Sequence, residues 1–219
     1  GVGGAQLLGF LAAPLLARVY SPADFGILGI YTSLLAIMTV VACLRYEIAI
    51  PIPEDDRVAA ALFQLSLLSG IVVTIFVAAS ALAFGSPLLQ ALGLSEFSSH
   101  SWLLPIGLLL NAWQQAVNYS TVRGGRYGFL ARARVSQSCV SVVTQLGLSL
   151  TSVAPVGLII GQAAGIGFSA AALMRNLLLH IRTLIRQVTR EDILQAASRY
   201  MRFPLFSSGA ALLNSLGLQ

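Results

Sequence analysis

The chain has 219 residues, of which 57% are hydrophobic and only 10% charged, with a formal net charge of +5. Soluble domains carry about 25% charged residues, and a chain so poor in charge has too few polar groups to coat a surface in water, so lipid is its expected solvent. The basic balance (sequence pI 9.8) does not point to nucleic acid, because the positive residues, all arginine, fall between apolar runs rather than along one soluble face.

A helix needs about 20 apolar residues to cross a bilayer core. That length predicts an all-α integral membrane protein with six spans, at residues 1–17, 25–44, 58–84, 102–122, 135–153 and 156–174, and the start of a seventh at 204–219. Residues 20–24 (Tyr-Ser-Pro-Ala-Asp) and 85–87 (Gly-Ser-Pro) read as breaks. The short uncharged stretch 151–157 reads as a tight hairpin that makes the fifth and sixth spans antiparallel neighbours. Both ends fall inside uncharged runs, and no signal-type segment precedes the first of them, so a piece of a longer polypeptide is expected.

The arginines set the orientation. Arg45, Arg57, Arg123, Arg126, Arg132, Arg134, Arg175, Arg182, Arg186, Arg190, Arg199 and Arg202 fall on one side of the spans, and Arg18 alone on the other. Loop arginines mark the cytoplasmic face, so the first span is expected to run outward across a bacterial inner membrane. Residues 175–203 differ in kind. Leu177, Leu178, Ile181, Leu184, Ile185 and Val188 recur at helical spacing among Arg182, Arg186 and Arg190, the pattern of an amphipathic helix at the cytoplasmic interface. Thr189 and Asp192 form a capping-box pattern that begins a second short helix. The expected organisation is a six-span lobe (1–174), a cytoplasmic linker (175–203) and the opening of a second lobe (204–219).

Nothing resembles an enzyme's machinery: the sequence has no phosphate-cradling glycine loop with lysine, no HExxH and no triad. Cys43 and Cys139 lie in apolar runs and suggest packing, His100 and His180 read as solvated, and no metal or cofactor is expected. Gly157, Gly161 and Gly165 repeat at four-residue spacing and suit close helix packing or, alternatively, a gliding surface.

Ionisable and polar groups near the membrane carry the functional signal. Arg18 and Asp24 flank the first turn; a helix-end anchor and a ligand are both open readings for Arg18. Arg45 and Glu47 bracket Tyr46 after the second span, either as a local pair or with the guanidinium presented to a phosphate. Arg123 and Arg126, flanking two glycines, end the fourth span and suit the same part. Within that span Asn111, Gln114 and Asn118 share a helical face, with Gln115 slightly off it, and face either a cavity or another helix. Trp113 and Tyr119 suit stacking on sugar rings or an interfacial belt.

Residues 16–26 (Leu-Ala-Arg-Val-Tyr-Ser-Pro-Ala-Asp-Phe-Gly) resemble the first external turn of the oligosaccharide flippases, the O-antigen translocase type. Those flippases form the polysaccharide biosynthesis branch of the multidrug/oligosaccharidyl-lipid/polysaccharide exporter superfamily. Residues 44–50 (Leu-Arg-Tyr-Glu-Ile-Ala-Ile) with Pro53-Glu54 resemble the same family after its second span, and Gly161-Gln162 and residues 202–205 (Arg-Phe-Pro-Leu) add to the match. The resemblance runs the length of the chain and implies the first lobe of a two-lobe exporter of about twelve to fourteen spans. It also implies translocation of a polyprenyl-pyrophosphate-linked oligosaccharide, with Arg18 and Arg45 at the matching cationic positions. Arg123 is added on chemical grounds, and Glu47, Asn111, Gln114 and Asn118 complete the expected pyrophosphate and glycan cavity. The implied partners are the lipid-linked oligosaccharide, membrane lipids and other polysaccharide export components, without nucleic acid. A cation-coupled multidrug exporter of the same superfamily is the alternative. It calls for a buried acidic residue, whereas every acidic residue here is expected in a loop or at a span end. A membrane polymerase or ligase calls for large external loops, which the sequence lacks.

Overall fold

The computed structural model describes residues 2–91, 95–150 and 155–204, and every regular element among them is helical. In chain order these are α1 (Val2–Leu16), α2 (Pro22–Ala42), the single turn α3 (Tyr46–Ala49), α4 (Asp56–Ala91), a 3-10 turn (Ser95–His100), α5 (Leu103–Arg123), α6 (Tyr127–Leu148), α7 (Val156–Gln187) and α8 (Arg190–Arg199).

Local sequence explains the boundaries. Ser21 caps α2, Pro22 fills its first position, and Asp24 returns the capping-box bond to the Ser21 backbone N–H at 2.8 Å. Beyond α2, Leu44 and Arg45 adopt left-handed backbone (φ 50° and 62°), which turns the chain into α3. Gly125, at φ 66°, makes the corresponding turn between α5 and α6.

Helix α5 sits at the centre, packed on α2, α4, α6 and α7, while α1 lies against α6. Helices α6 and α7 pack closely, with Gly157, Gly161 and Gly165 of α7 facing Leu148, Gln145, Ser141 and Gln137 of α6 and Gly157 also facing Tyr20. A Cβ at Gly161 would stand 2.3 Å from the Gln145 Cγ, so the missing side chains are what let these helices touch. One buried cluster, around Leu62, Phe63, Val117, Leu173 and Leu177, fills the end of the bundle that carries α3 and α8. A second, around Tyr31, Phe97, Leu104, Leu108 and Ile159, fills the remainder of the α2–α5 interface.

Large apolar side chains also point outward. Leu7, Phe10 and Leu11 of α1, and Leu68, Val72, Ile75 and Phe76 of α4, are all at least half exposed, a surface that lipid solvates and water does not. Three helical stretches, Pro22–Ala42, Asp56–Ala83 and Val156–Gln187, are long and apolar enough to cross a membrane, and Gly3–Leu16 is apolar but shorter. The expected fourth and fifth spans are helices too (α5 and α6), but the amides of α5 and Arg132 and Arg134 of α6 lower their apolar character.

Three expected boundaries shift. Helix α4 runs unbroken through residues 85–87, and α6 begins at Tyr127 rather than 135. Helix α7 continues past residue 174 to Gln187, because arginine is a good helix former and its charge ends an apolar run without ending the helix. The capping box at Thr189 and Asp192 opens α8 as the sequence pattern predicts. Most of the expected 151–157 hairpin and the seventh span at 204–219 lie outside the described residues.

Candidate functional site

The left-handed turn after α2 places Arg45 on a cavity of about 340 Å³ between α2, α5 and α7. Its wall also carries Thr32, Thr39, Asn111, Gln115 and Gln162. Arg45 makes no hydrogen bond or ion pair among the described residues, and its Nε is buried without an acceptor. A buried guanidinium N–H with nothing to donate to is costly, which makes it a donor held ready for a ligand.

The surrounding polar groups are biased toward accepting. Thr32 and Thr39 donate their hydroxyls to the carbonyls of Gly29 (3.0 Å) and Leu35 (2.6 Å). Asn111 donates its amide to the Gly107 carbonyl at 2.8 Å, and Gln115 donates to the Thr39 carbonyl at 3.3 Å. With one N–H of each directed at backbone, the amide oxygens of Asn111 and Gln115 are left to accept from hydroxyl groups. The cavity therefore offers one cationic fork and several acceptors, a combination suited to an anion that also bears hydroxyls.

Glu47 lies two residues from Arg45 and only 1% exposed, in the floor of α3. The sequence places it at a span end, as expected, but the end is covered. Tyr46, Ile50 and Leu62 build the same core, and the Glu47 Oε2 has no hydrogen-bond partner among the described residues. Burial raises its carboxyl above the ordinary glutamate value; its own backbone N–H and the Arg45 charge act in the opposite direction. Asp24, also buried, is committed to the α2 cap through Ser21.

The other expected site residues lie elsewhere. Arg18 is exposed beyond α1, and the 21 residues of α2, about 30 Å at 1.5 Å per residue, separate its turn from Arg45. The same turn is anchored structurally, since the buried Tyr20 donates to the Gln145 carbonyl at 2.7 Å. Arg123 faces a different pocket, of about 660 Å³, shared with Arg126 and His180. Both terminal nitrogens of its guanidinium are engaged: they donate to the carbonyls of Ile50 (3.3 Å), Pro53 and Glu54 (3.2 Å) and to the Asp56 carboxylate at 2.7 Å. Arg123 thus clamps the α3–α4 connection, and Arg126 donates to Asn176 of α7 at 3.0 Å. Gln114 donates to Gln137 of α6 at 2.7 Å, and Asn118 is half-buried away from the Arg45 cavity.

Of the expected set, then, the structure gathers Arg45 and Asn111 on one cavity and buries Glu47 in the core nearby in the chain. Gln162 and the two threonines complete the wall. Gln162 was visible as an isolated amide in an apolar run, whereas the threonines carried no signal apart from their neighbours. A family model described as polysaccharide biosynthesis protein matches residues 15–215. No curated protein and no solved structure matches the chain.

Proposed function

The chain belongs to the polysaccharide biosynthesis protein family, and from that premise we propose that it moves a polyprenyl-pyrophosphate-linked oligosaccharide across the bacterial inner membrane. In this reading it supplies O-antigen, capsule or exopolysaccharide synthesis and forms one lobe of a two-lobe exporter of the multidrug/oligosaccharidyl-lipid/polysaccharide superfamily. The single observation that supports it most is the unpartnered Arg45 on a cavity rich in amide acceptors. A guanidinium takes two phosphate oxygens at once through its planar fork. In a cavity of low dielectric that attraction is far stronger than in water. The amide oxygens of Asn111 and Gln115 would accept from sugar hydroxyls. Rocking of two lobes about such a site would expose it to each leaflet in turn.

The test is made in cells. Deleting the gene should cause lipid-linked oligosaccharide to accumulate on the cytoplasmic leaflet, with wild type relieving the block and Arg45→Ala failing to do so. No accumulation on deletion would remove the flippase assignment, and rescue by both constructs would keep the function while discarding Arg45.

Buried Glu47 favours a second reading, a cation-coupled multidrug exporter of the same superfamily, since a covered carboxyl with one oxygen lacking a partner can carry a proton. Here deletion should sensitise cells to lipophilic cationic dyes without accumulation of lipid-linked oligosaccharide, the reverse of the first outcome.

A further inference from the structure

A second groove, larger than the Arg45 cavity at about 1050 Å³, runs between α5 and α7. Its wall is apolar through Trp113, Val117, Gly167 and Met174, and carries Arg175 and Arg182 at one end, with no acidic residue. The bond from Arg126 to Asn176 (3.0 Å) sets residues 175–176 of α7 level with the turn that ends α5. The apolar part of the groove therefore lies at the depth that the α5 and α7 helices share, and the two arginines stand where α7 passes beyond it. Arg175 and Arg182 are both exposed, and neither pairs with an acid among the described residues. Seven residues apart, they share one face of α7, about 10 Å from each other along the axis. Beside them Leu178 and Leu179 are exposed, at 38% and 76%.

We propose that the α5–α7 groove holds an anionic phospholipid, its acyl chains along Trp113, Val117 and Met174 and its phosphate between Arg175 and Arg182. Charge complementarity selects the occupant. An apolar trough alone accepts any chain, but two unpaired arginines at its boundary end favour an anionic headgroup over a zwitterionic one, as basic pockets between membrane helices do. The site is separate from the Arg45 cavity and does not depend on which molecule is translocated.

Native mass spectrometry of the intact protein in mild detergent, with dioleoylphosphatidylglycerol and dioleoylphosphatidylcholine offered equally, tests this. The phosphatidylglycerol adduct should persist, and Arg175→Gln with Arg182→Gln should weaken it on the order of 10- to 30-fold, the product of two arginine–headgroup contributions. Arg134→Gln, exposed on α6, should leave it unchanged. Independently of any variant, a photoactivatable phosphatidylglycerol should label peptides covering residues 110–117 and 167–183. Equal retention of both lipids, an unaltered adduct in the double variant, or labelling confined to other helices would overturn the proposal. So would displacement of phosphatidylglycerol by an equimolar polyprenyl phosphate, which would make the groove a subsite for that lipid instead.

Discussion

Arg45 and Glu47 are two residues apart, of opposite charge, and form no ion pair. The left-handed backbone of Leu44 and Arg45 sends the guanidinium to the α2–α5–α7 cavity, while the turn of α3 carries Glu47 into the core, where it is 1% exposed. Each group is left with a buried atom, the Arg45 Nε and the Glu47 Oε2, lacking a hydrogen-bond partner among the described residues. Buried polar atoms without a hydrogen-bond partner destabilise a fold, and backbone strain at the same point adds to the cost. Such a departure from local consistency is expected where function requires it.

Replacing Arg45 should separate stability from activity. Arg45→Gly removes the left-handed penalty of a side-chain-bearing residue, about 1–2 kcal/mol, and should raise the thermal midpoint in detergent or leave it unchanged. The same variant should abolish rescue of lipid-linked oligosaccharide translocation, and Arg45→Lys should restore it only in part, since a lysine lacks the planar fork. Loss of both stability and rescue in Arg45→Gly would mean that the guanidinium holds the fold rather than a ligand.

Glu47 gives a pH signature. Its folded value is raised by burial above that of the unfolded chain, so the unfolded state releases the proton first. Stability attributable to this group is therefore greatest below the ordinary glutamate value and falls as pH rises toward the raised one. Glu47→Gln keeps the shape without the charge and should be at least as stable as wild type at neutral pH, with the difference closing in acid. The check is thermal midpoint against pH for both proteins; a wild type that gains stability over Glu47→Gln with rising pH would show a charged, paired Glu47 instead.

How far the sequence reaches is clearest on α5. Gln114 and Gln115 are neighbours, but about 100° of helical rotation separates them, so Gln114 meets Gln137 of α6 while Gln115 meets the Thr39 carbonyl of α2. Periodicity reveals that a polar face exists; only the neighbouring helices decide which amide reaches a cavity. The same holds for Arg123, whose place at the end of a span suits a ligand arginine on chemical grounds until the carbonyls of Ile50, Pro53 and Glu54 close around it. Signals whose partners lie within a few residues were legible, as the Thr189–Asp192 capping box and the helical periodicity show, although the equivalent Ser21–Asp24 pattern reads only as a break until the structure shows its cap. The continuity of α7 through residue 174 was not, because Arg175 changes solvent preference without changing backbone preference, so one helix reads as a span followed by a separate interfacial helix.

The α6–α7 interface offers a controlled comparison of two glycines on one helix. A Cβ at Gly165 would stand 2.6 Å from the Gln137 carbonyl oxygen and 2.9 Å from the Ser141 Cβ, atoms that cannot retreat without moving α6. At Gly167 the nearest atom is the Leu110 Cδ2 at 3.6 Å, an ordinary contact. Gly165→Ala should therefore lower stability by about 1–3 kcal/mol through overpacking, while Gly167→Ala, with the same gain in helix propensity, should be neutral or better. Matching thermal midpoints for the two variants would argue that α6 and α7 slide rather than lock.

Two interactions of unequal strength meet at Asp192: one caps the start of α8 and the other ties it to α4. The Thr189 backbone N–H and hydroxyl donate to its carboxylate at 2.7 and 2.9 Å, closing the capping box, and Arg57 of α4 donates at 3.1 and 2.8 Å. The Thr189 bonds, then Arg57, hold the Asp192 carboxyl below its ordinary value. Its contribution is thus present above the unfolded value and is lost as pH falls through the depressed one. The Arg57 pair is exposed, and such pairs are weak because solvent screens them and two long side chains must be ordered. The cap satisfies donors that the start of every helix otherwise leaves free. Thr189→Ala should consequently speed amide hydrogen exchange across residues 190–199 more than Arg57→Gln does, with Leu62 and Phe63 of α4 protected in both. Acid should loosen α8 in the wild type by the same route. A larger effect from Arg57→Gln would reverse the ranking and make the ion pair to α4, rather than the cap, the main support of α8.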